Sequence, residues 1–592
     1  MKNIFYCSLL LVILLSACCK QTERVDTVIS QSFTDEWKFN AGKGDSAHWE
    51  SPGFDDAAWA VVSGNKLLKD QEKTLENGFG WYRKTVELSD SLQKAIQESG
   101  AAIIHLGKLA AAEEIYLNGR LIGKTGDFPD NYMGFHAEER NYVVPAENFN
   151  PDGKNLIAIK FFDGWSIGGF LDDTDLSISS ALTKDKLSMA VTVNDADYIF
   201  LAPNPIEIKV AIENKNRWPV NGNLIVNLTT DDYQPVQRDS ITLQIKAKEG
   251  YSNTFKLENP NPGFYRYTVS FVESEEVACE KKFNVGYEPE KIVSPLDNHD
   301  DFKAFWDNNL AELKKVAPNY KLTLVPEFSQ LDYNIYLVEM KSLGNELIRG
   351  YYGQPKKEGK HPVIVEYMGY GSKPYPPTQT YDGFAYFVLS IRGQALNEPA
   401  NHFGTWITYG LDSKEHYYYR GAFCDVVRAI DFVCSRPEVD ADKIAVRGGS
   451  QGGALSFVAA SLDKRVKVAA PNIPFLSDYP DYFKITHWPR SDFENYLNQF
   501  YPDSHASRWE NIYNLLTYFD IKNLVQWIEC PVIMGIGVQD DVCPPHINFA
   551  AYNQVKSAKK WMAFPEYGHS VGKEFYDESV ALFKKELHVE NE

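Results

Sequence analysis

The chain has 592 residues, with 60 basic and 80 acidic side chains and a formal net charge of −20. That length exceeds one hydrophobic core and implies roughly three or four domains at about 150 residues each. An acidic balance with no offsetting basic stripe excludes nucleic acid as a partner, and 44% hydrophobic and 14% aromatic residues suit a soluble globular protein.

Met1-Lys2-Asn3 is a short basic segment, and Ile4 to Leu15 is almost continuously apolar. A run this short followed by small residues reads as a signal peptide over 1–18 rather than a spanning helix. Leu15-Ser16-Ala17-Cys18 resembles the bacterial lipoprotein box. The resemblance implies lipidation at Cys18 and a membrane anchor. Cys19, not aspartate, follows Cys18, which fits an outer-membrane lipoprotein of the cell envelope and leaves its face open. Cys7 leaves with the signal. Cys19, Cys279, Cys424, Cys434, Cys530 and Cys543 show no Cys-x-x-Cys and no paired rhythm, so neither a disulfide framework nor a zinc site is expected.

Residues 19–33 are a polar tether. Over 34–182, short apolar runs alternate with turn signals such as Asn118-Gly119 and Pro151-Asp152-Gly153. The pieces Phe54-Asp55-Asp56-Ala57-Ala58-Trp59, Gly80-Trp81-Tyr82-Arg83-Lys84, Ile115-Tyr116-Leu117-Asn118-Gly119 and Asn155-Leu156-Ile157-Ala158-Ile159-Lys160 stand out. They resemble the jelly-roll, galactose-binding-like domain appended to glycoside hydrolases and sialate O-acetylesterases. Trp81, Tyr82 and Trp165 could stack on a sugar; filling the sandwich is the preferred expectation. Over 183–288 the runs Ile206 to Ile212, Leu224 to Leu228 and Tyr265 to Phe271 alternate with period two. An immunoglobulin-like β-sandwich is expected there, without a cysteine pair and without chemistry.

From 289 to 592 helices and strands alternate. Phe302 to Leu313 reads as a helix, and Tyr419 to Arg436 as an amphipathic one. Pro362 to Tyr367, Ala385 to Leu389, Lys443 to Val446, Val466 to Ala470 and Pro531 to Gly535 are near-continuous apolar strands of a buried, mostly parallel sheet. The fold class is therefore multidomain: two N-terminal β-sandwiches followed by a doubly wound α/β-hydrolase.

Arg447-Gly448-Gly449-Ser450-Gln451-Gly452-Gly453 sits between an apolar strand and the helix beginning near Ala454. Gly-x-Ser-x-Gly in that position is a nucleophile elbow. Gly448 and Gly452 let strand and helix pass closely. The turn exposes the Ser450 hydroxyl and leaves the Gln451 N–H free for a developing oxyanion. Serine needs a base oriented by a carboxylate, in the chain order Ser, Asp or Glu, His. Of His487, His505, His546, His569 and His588, only His569 lies on a loop after the last apolar strand, and it is the expected base. The acid is Asp540 or Asp541, and strand-to-loop spacing does not separate them.

Arg392-Gly393-Gln394, Gly449-Ser450-Gln451-Gly452-Gly453 and Gly537-Val538-Gln539-Asp540-Asp541-Val542-Cys543-Pro544-Pro545 are together similar to the acetyl xylan esterase / cephalosporin C deacetylase family, carbohydrate esterase family seven. Tyr417-Tyr418-Tyr419-Arg420 and Phe549-Ala550-Ala551-Tyr552-Asn553 match it too. The resemblance implies Ser450, Asp540 and His569 as the triad, choosing Asp540 over Asp541. It implies the backbone N–H of Tyr370 as the second oxyanion donor beside Gln451, and Arg392, Gly393 and Gln394 as a structural motif. The chain departs from the family at His569-Ser570, where the family has His-Glu, and at Gly369-Tyr370-Gly371-Ser372-Lys373, which leaves the shape of that loop and of the acyl pocket open. No cofactor or metal is implied. The implied activity is deacetylation of xylan-derived or related oligosaccharides. A serine peptidase or another carboxylic esterase on the same fold is the alternative, and a surface glycan-binding lipoprotein with a vestigial hydrolase a further one. Relatives of the esterase domain form closed hexamers, and a homo-oligomer stays open against two extra domains and an anchor.

Overall fold

The computed structural model describes residues 28–43, 48–75, 78–109, 112–129, 138–163, 169–171, 176–377 and 383–589. The signal peptide, Cys18, Cys19 and Trp165 lie outside the described residues. The chain divides into two compact units: residues 1–188 with 212–220 and 244–250, and residues 189–211, 221–243 and 251–592.

The first unit holds an antiparallel sandwich. A six-stranded sheet is centred on Phe79–Glu87 and Lys154–Phe162, and a four-stranded sheet on Ala101–Lys108 and Ser177–Ser180. Alternate side chains of both sheets, among them Trp37, Tyr82, Ile104, Ile157 and Ile178, form one core between them. Trp81 and Tyr82 are 1% and 0% exposed, so neither offers a face to a sugar. Trp81 packs instead with Trp59 and Ala158, and its indole N–H donates to the Lys43 carbonyl at 2.7 Å.

The second β region forms a three-stranded and a five-stranded sheet. Its period-two reading is realised in Ile206–Asn214, where Ile206, Ile208, Val210 and Ile212 are fully buried and the residues between them are not.

The second unit is built on a nine-stranded sheet. Its order is Lys321–Leu324, Tyr333–Lys341, Leu347–Pro355, Ala385–Ser390, His361–Tyr367, Val439–Gly449, Val466–Asn472, Val532–Gly537 and Lys559–Phe564. The first three strands pair antiparallel, and the six from Ala385–Ser390 onward pair parallel. Ala385–Ser390 and Val532–Gly537 are buried at every residue, as strands covered on both faces must be. Helix Tyr418–Cys434 and the elbow helix Gln451–Leu462 are correspondingly buried around most of their circumference. Parallel pairing brings the carboxyl ends of these strands to one edge. The loops starting at Met368, Ile391, Ser450, Ile473, Val538 and Pro565 gather there, where α/β sheets place their ligands. Helices Tyr479–Ile485, Arg490–Phe500 and His505–Leu516 form the insertion between the strands ending at Asn472 and beginning at Val532. The five described cysteines of this and the preceding region are free.

Candidate active site

Ser450 sits between strand and helix at φ 58°, ψ −121°, a left-handed conformation that an L-residue holds only when its surroundings dictate it. The surroundings are tight. A Cβ on Gly452 would lie 1.9 Å from the Tyr367 carbonyl oxygen, and one on Gly448 2.5 Å from the same atom. The Ser450 N–H donates to the Asn472 carbonyl at 3.0 Å, and the Phe475 N–H donates to the Ser450 carbonyl at 3.1 Å. Asn472 Nδ2 also donates to the Gly448 carbonyl at 3.1 Å. The elbow is thus clamped by the neighbouring parallel strand.

Asp540 follows the strand Val532–Gly537, and His569 follows Lys559–Phe564. His569 Nδ1 lies 2.8 Å from Asp540 Oδ2 and 3.1 Å from Oδ1. Asp540 is 1% exposed, and its Oδ1 also accepts from the N–H groups of Val542 at 2.9 Å and Cys543 at 2.8 Å. Those two backbone donors turn the Asp540 carboxylate inward. Asp541 is exposed, and its carbonyl accepts from Thr486 Oγ1 at 2.9 Å. A carboxylate can only accept, so His569 Nδ1 carries the proton and Nε2 is left free. Ser450 Oγ has Cys543 Sγ as its polar neighbour at 4.0 Å and does not hydrogen-bond His569 among the described residues. Such looseness is usual before substrate binds. Burial raises the Cys543 thiol well above its ordinary range, which keeps it neutral beside the serine.

The loop from Gly369 lies over the elbow: a Cβ on Gly369 would be 4.0 Å from Ser450 Cβ. Gln394 fixes this loop, because its Oε1 accepts from the Gly371 N–H at 3.1 Å. The same carboxamide exchanges hydrogen bonds with Gln451, and its Nε2 donates to Tyr418 OH at 3.0 Å. Tyr419 OH donates to Gln451 Oε1 at 3.0 Å. The Gln451 N–H, first in its helix, has no carbonyl within that helix to bond. Arg392 anchors the network from behind. Its Nε and Nη2 reach Asp425 at 2.9 Å and 2.6 Å, and its own N–H donates to Asp425 Oδ2 at 3.0 Å. Gly393, at φ 70°, makes the turn between these two side chains. The Tyr370 ring meets Trp406, Phe475 and Trp488 at centroid distances of 5.1, 6.4 and 5.8 Å, which gives the mouth of the elbow an aromatic wall. Burial pushes the Tyr370 phenol up to about 12, so it stays neutral.

The remaining histidines stand elsewhere. His487 and His588 are exposed, and His546 is paired with Asp231 at 2.8 Å. The side chain of His505 lies outside the described residues. Asp425, Tyr418 and Asn472 hold the site together, and of the three Tyr418 lies within a family motif, Tyr417-Tyr418-Tyr419-Arg420, while Asp425 and Asn472 carry no sequence signal of their role.

A family model described as acetyl xylan esterase matches residues 288–587, and one described as the second all-β domain of β-galactosidase matches 44–180. The acetyl esterase Axe7A of Xylanibacter ruminicola is 31% identical over 318 residues, which cover 51% of this chain and 71% of that protein. An acetyl xylan esterase structure from a Paenibacillus species is 33% identical, covering 50% of this chain and 97% of its own, with a TM-score of 0.46. Acetyl xylan esterase 1 from a Thermoanaerobacterium species is 28% identical, covering 50% and 96%, with a TM-score of 0.45.

Proposed function

Because the chain belongs to the acetyl xylan esterase family, we propose that it is a serine-dependent carbohydrate O-acetyl esterase acting on xylan-derived or related acetylated oligosaccharides. The observation that carries this reading is the buried Asp540 carboxylate on His569 Nδ1, at the sheet edge that also bears the Ser450 elbow. His569 Nε2 takes the Ser450 proton as Oγ attacks the acetyl carbonyl. The N–H groups of Gln451 and Tyr370 receive the oxyanion, held in place by Gln394. Asp540 keeps His569 in the productive tautomer and stabilises its charge. The sugar hydroxyl leaves with the proton from His569, and water activated by His569 then releases acetate from the acetyl-enzyme. No step calls for a metal or cofactor. The anchor at Cys18 rests on the Leu15-Ser16-Ala17-Cys18 segment, and labelling with a fatty-acid analogue in wild type against Cys18→Ala tests it.

Acetate release from acetylated xylan and from a small acetyl ester, in wild type and Ser450→Ala, tests the activity. Release from both substrates that disappears in the variant is expected. Release from the small ester alone discards xylan, and release that persists in Ser450→Ala discards the nucleophile.

A further inference from the structure

A second constellation stands beside the acid loop and takes no part in the ester chemistry. His546 begins where that loop enters the helix Pro545–Tyr552. Its Nδ1 is 2.8 Å from Asp231 Oδ2, on the turn between strands Val220–Thr230 and Pro235–Ile245. Its Nε2 faces Asp481 Oδ2 at 3.6 Å and Asp478 Oδ2 at 3.9 Å, both too long for a hydrogen bond. Asp478 is 2% exposed, yet its Oδ2 is a buried atom without a hydrogen bond, and so is His546 Nε2. Two such buried atoms, 3.9 Å apart, are costly unless something bridges them.

We propose that His546 Nε2, Asp478 Oδ2 and Asp481 Oδ2 bind one first-row divalent cation, with zinc the best match. Three arguments carry the assignment beyond a cluster of acids. The first is spacing. The three ligand atoms lie within 4.8 Å of one another, and N···O separations of 3.6 and 3.9 Å are what two ligands about 2.0–2.2 Å from one zinc ion subtend at an open angle. The second is support. Each ligand is held from behind: His546 by Asp231, Asp478 Oδ1 by Lys522 Nζ at 2.9 Å, and Asp481 Oδ1 by Lys484 Nζ at 2.7 Å. A carboxylate on the far imidazole nitrogen fixes the tautomer that aims Nε2 at a metal. The third is donor chemistry. An imidazole beside two carboxylates favours zinc and its neighbours over magnesium or calcium.

A cavity of about 350 Å³ lined by Asp231, Tyr265, Asp481, Ile485 and His546 adjoins the cluster and leaves room for a fourth, solvent ligand. The ion would pin the start of helix Pro545–Tyr552 to helix Tyr479–Ile485. That helix already grips the acid loop, since Tyr482 OH donates to the Val542 carbonyl at 2.6 Å. The ion is therefore a positioning device for Asp540. The cysteine spacing gave no sign of it, because its ligands come from separate segments and include no thiolate.

The test uses tag-free full-length protein stripped with a chelator and titrated with zinc, with cobalt(II) as a spectroscopic probe. One equivalent of zinc bound, a rise in Tm with zinc, and a visible cobalt spectrum typical of nitrogen and oxygen ligands at low coordination number are expected. Asp481→Asn, checked for native circular dichroism, is expected to lose stoichiometric uptake, and Asp231→Asn to bind zinc about 10–100-fold more weakly. Wild type that takes up no zinc and shows no Tm shift overturns the proposal, as does uptake undiminished in Asp481→Asn. His546 is then a charged clamp only.

Discussion

Gln394 and Gln451 exchange side-chain hydrogen bonds, Nε2 to Oε1 in each direction, at 3.2 and 3.1 Å. The pair joins the elbow helix to the Gly369–Gly371 loop, because Gln394 also accepts from the Gly371 N–H. Both proposed oxyanion donors, the N–H groups of Tyr370 and Gln451, depend on this one buried bridge for their separation. Gln394→Ala leaves Gln451 Nε2 and the Gly371 N–H short of a partner and frees the loop. Displacing the Tyr370 and Gln451 N–H groups forfeits part of the roughly 3–4 kcal/mol that one oxyanion donor supplies to the transition state, so kcat is expected to fall about 10–100-fold. KM for a small acetyl ester should change little, since the donors act mainly on the transition state. Equal losses in binding and turnover would assign Gln394 to substrate contact instead. Steady-state kinetics separate the two outcomes.

The acid loop makes a sharper prediction. Asp540 is buried on His569, whereas the adjacent Asp541 is exposed. Asp540→Asn preserves size but favours the wrong imidazole tautomer, and a loss in kcat of about 10⁴-fold is expected by analogy with other triads. Asp541→Asn should leave kcat within about twofold of wild type. His569→Ala and Ser450→Ala should abolish acetate release while the far-ultraviolet circular dichroism stays native. A strong defect in Asp541→Asn with an intact Asp540→Asn would reverse the assignment of the acid.

How much of this was legible beforehand follows from how local each cause is. The elbow is a steric device confined to a few residues, so its glycines announce it. His569 is legible because the fold puts a base after the last strand. Asp540 and Asp541 cannot be told apart by spacing, since what turns Asp540 inward is a pair of backbone N–H groups at Val542 and Cys543. Arg392 and Gln394 were recognisable only as a motif. Their partners Asp425 and Gln451 are 33 and 57 positions away, and a buried aspartate on an apolar helix carries no sequence mark. The three antiparallel strands between Lys321 and Pro355 are not legible as apolar runs: Lys321–Leu324 buries no residue, and Tyr333–Lys341 and Leu347–Pro355 alternate buried with partly exposed residues and slip once each. The inner parallel strands, such as Ala385–Ser390 and Val532–Gly537, are buried at every residue and are therefore legible as continuous apolar runs.

Arg392 and Asp425 form a two-pronged ion pair in the interior, with side chains 9% and 0% exposed. Removing one partner leaves a buried charge unmatched. Arg392→Ala is therefore expected to destabilise the protein by about 3–5 kcal/mol. Arg392→Lys should recover little of this, because an ammonium cannot reproduce the planar fork. Replacing both partners by apolar residues, Arg392→Met with Asp425→Leu, should restore most of the stability but not the activity, since Gln394 loses its support. Denaturant melts paired with kinetics on the same samples check both halves.

Gly452 tests the elbow by space alone. A Cβ there would lie 1.9 Å from the Tyr367 carbonyl oxygen, a main-chain atom in the sheet that cannot move aside as a side-chain tip could. Gly452→Ala is expected to cost about 3 kcal/mol or more and to displace Ser450, so that turnover falls even in the fraction that folds. Gly344→Ala is the contrasting control. Gly344 has nothing within 4 Å of its Cβ position but a φ of +74°, so it should lose only the smaller cost of a left-handed alanine, about 1–2 kcal/mol, with kcat unchanged.

The pH dependence of stability turns on Glu366, which stands on the strand next to the elbow. Burial would raise its carboxyl, but the Arg447 guanidinium at 2.9 Å and the phenols of Tyr386 and Tyr375 outweigh it and hold the group below the ordinary glutamate range. A carboxyl depressed in the folded state favours folding where it is ionised, and stability falls with falling pH across the interval in which the unfolded chain binds a proton that the folded chain still releases. Its contribution is therefore fully present above about pH 4.5, the range in which an unfolded glutamate is ionised, and is lost as pH falls through the lower folded value. Wild type is expected to lose Tm steeply on acidification below that point. Glu366→Gln removes the titrating group, so it should be less stable than wild type at neutral pH and lose less Tm over the same acid interval. Parallel slopes for the two proteins would move the acid lability to other carboxylates and leave Glu366 as a neutral hydrogen-bond partner of Arg447.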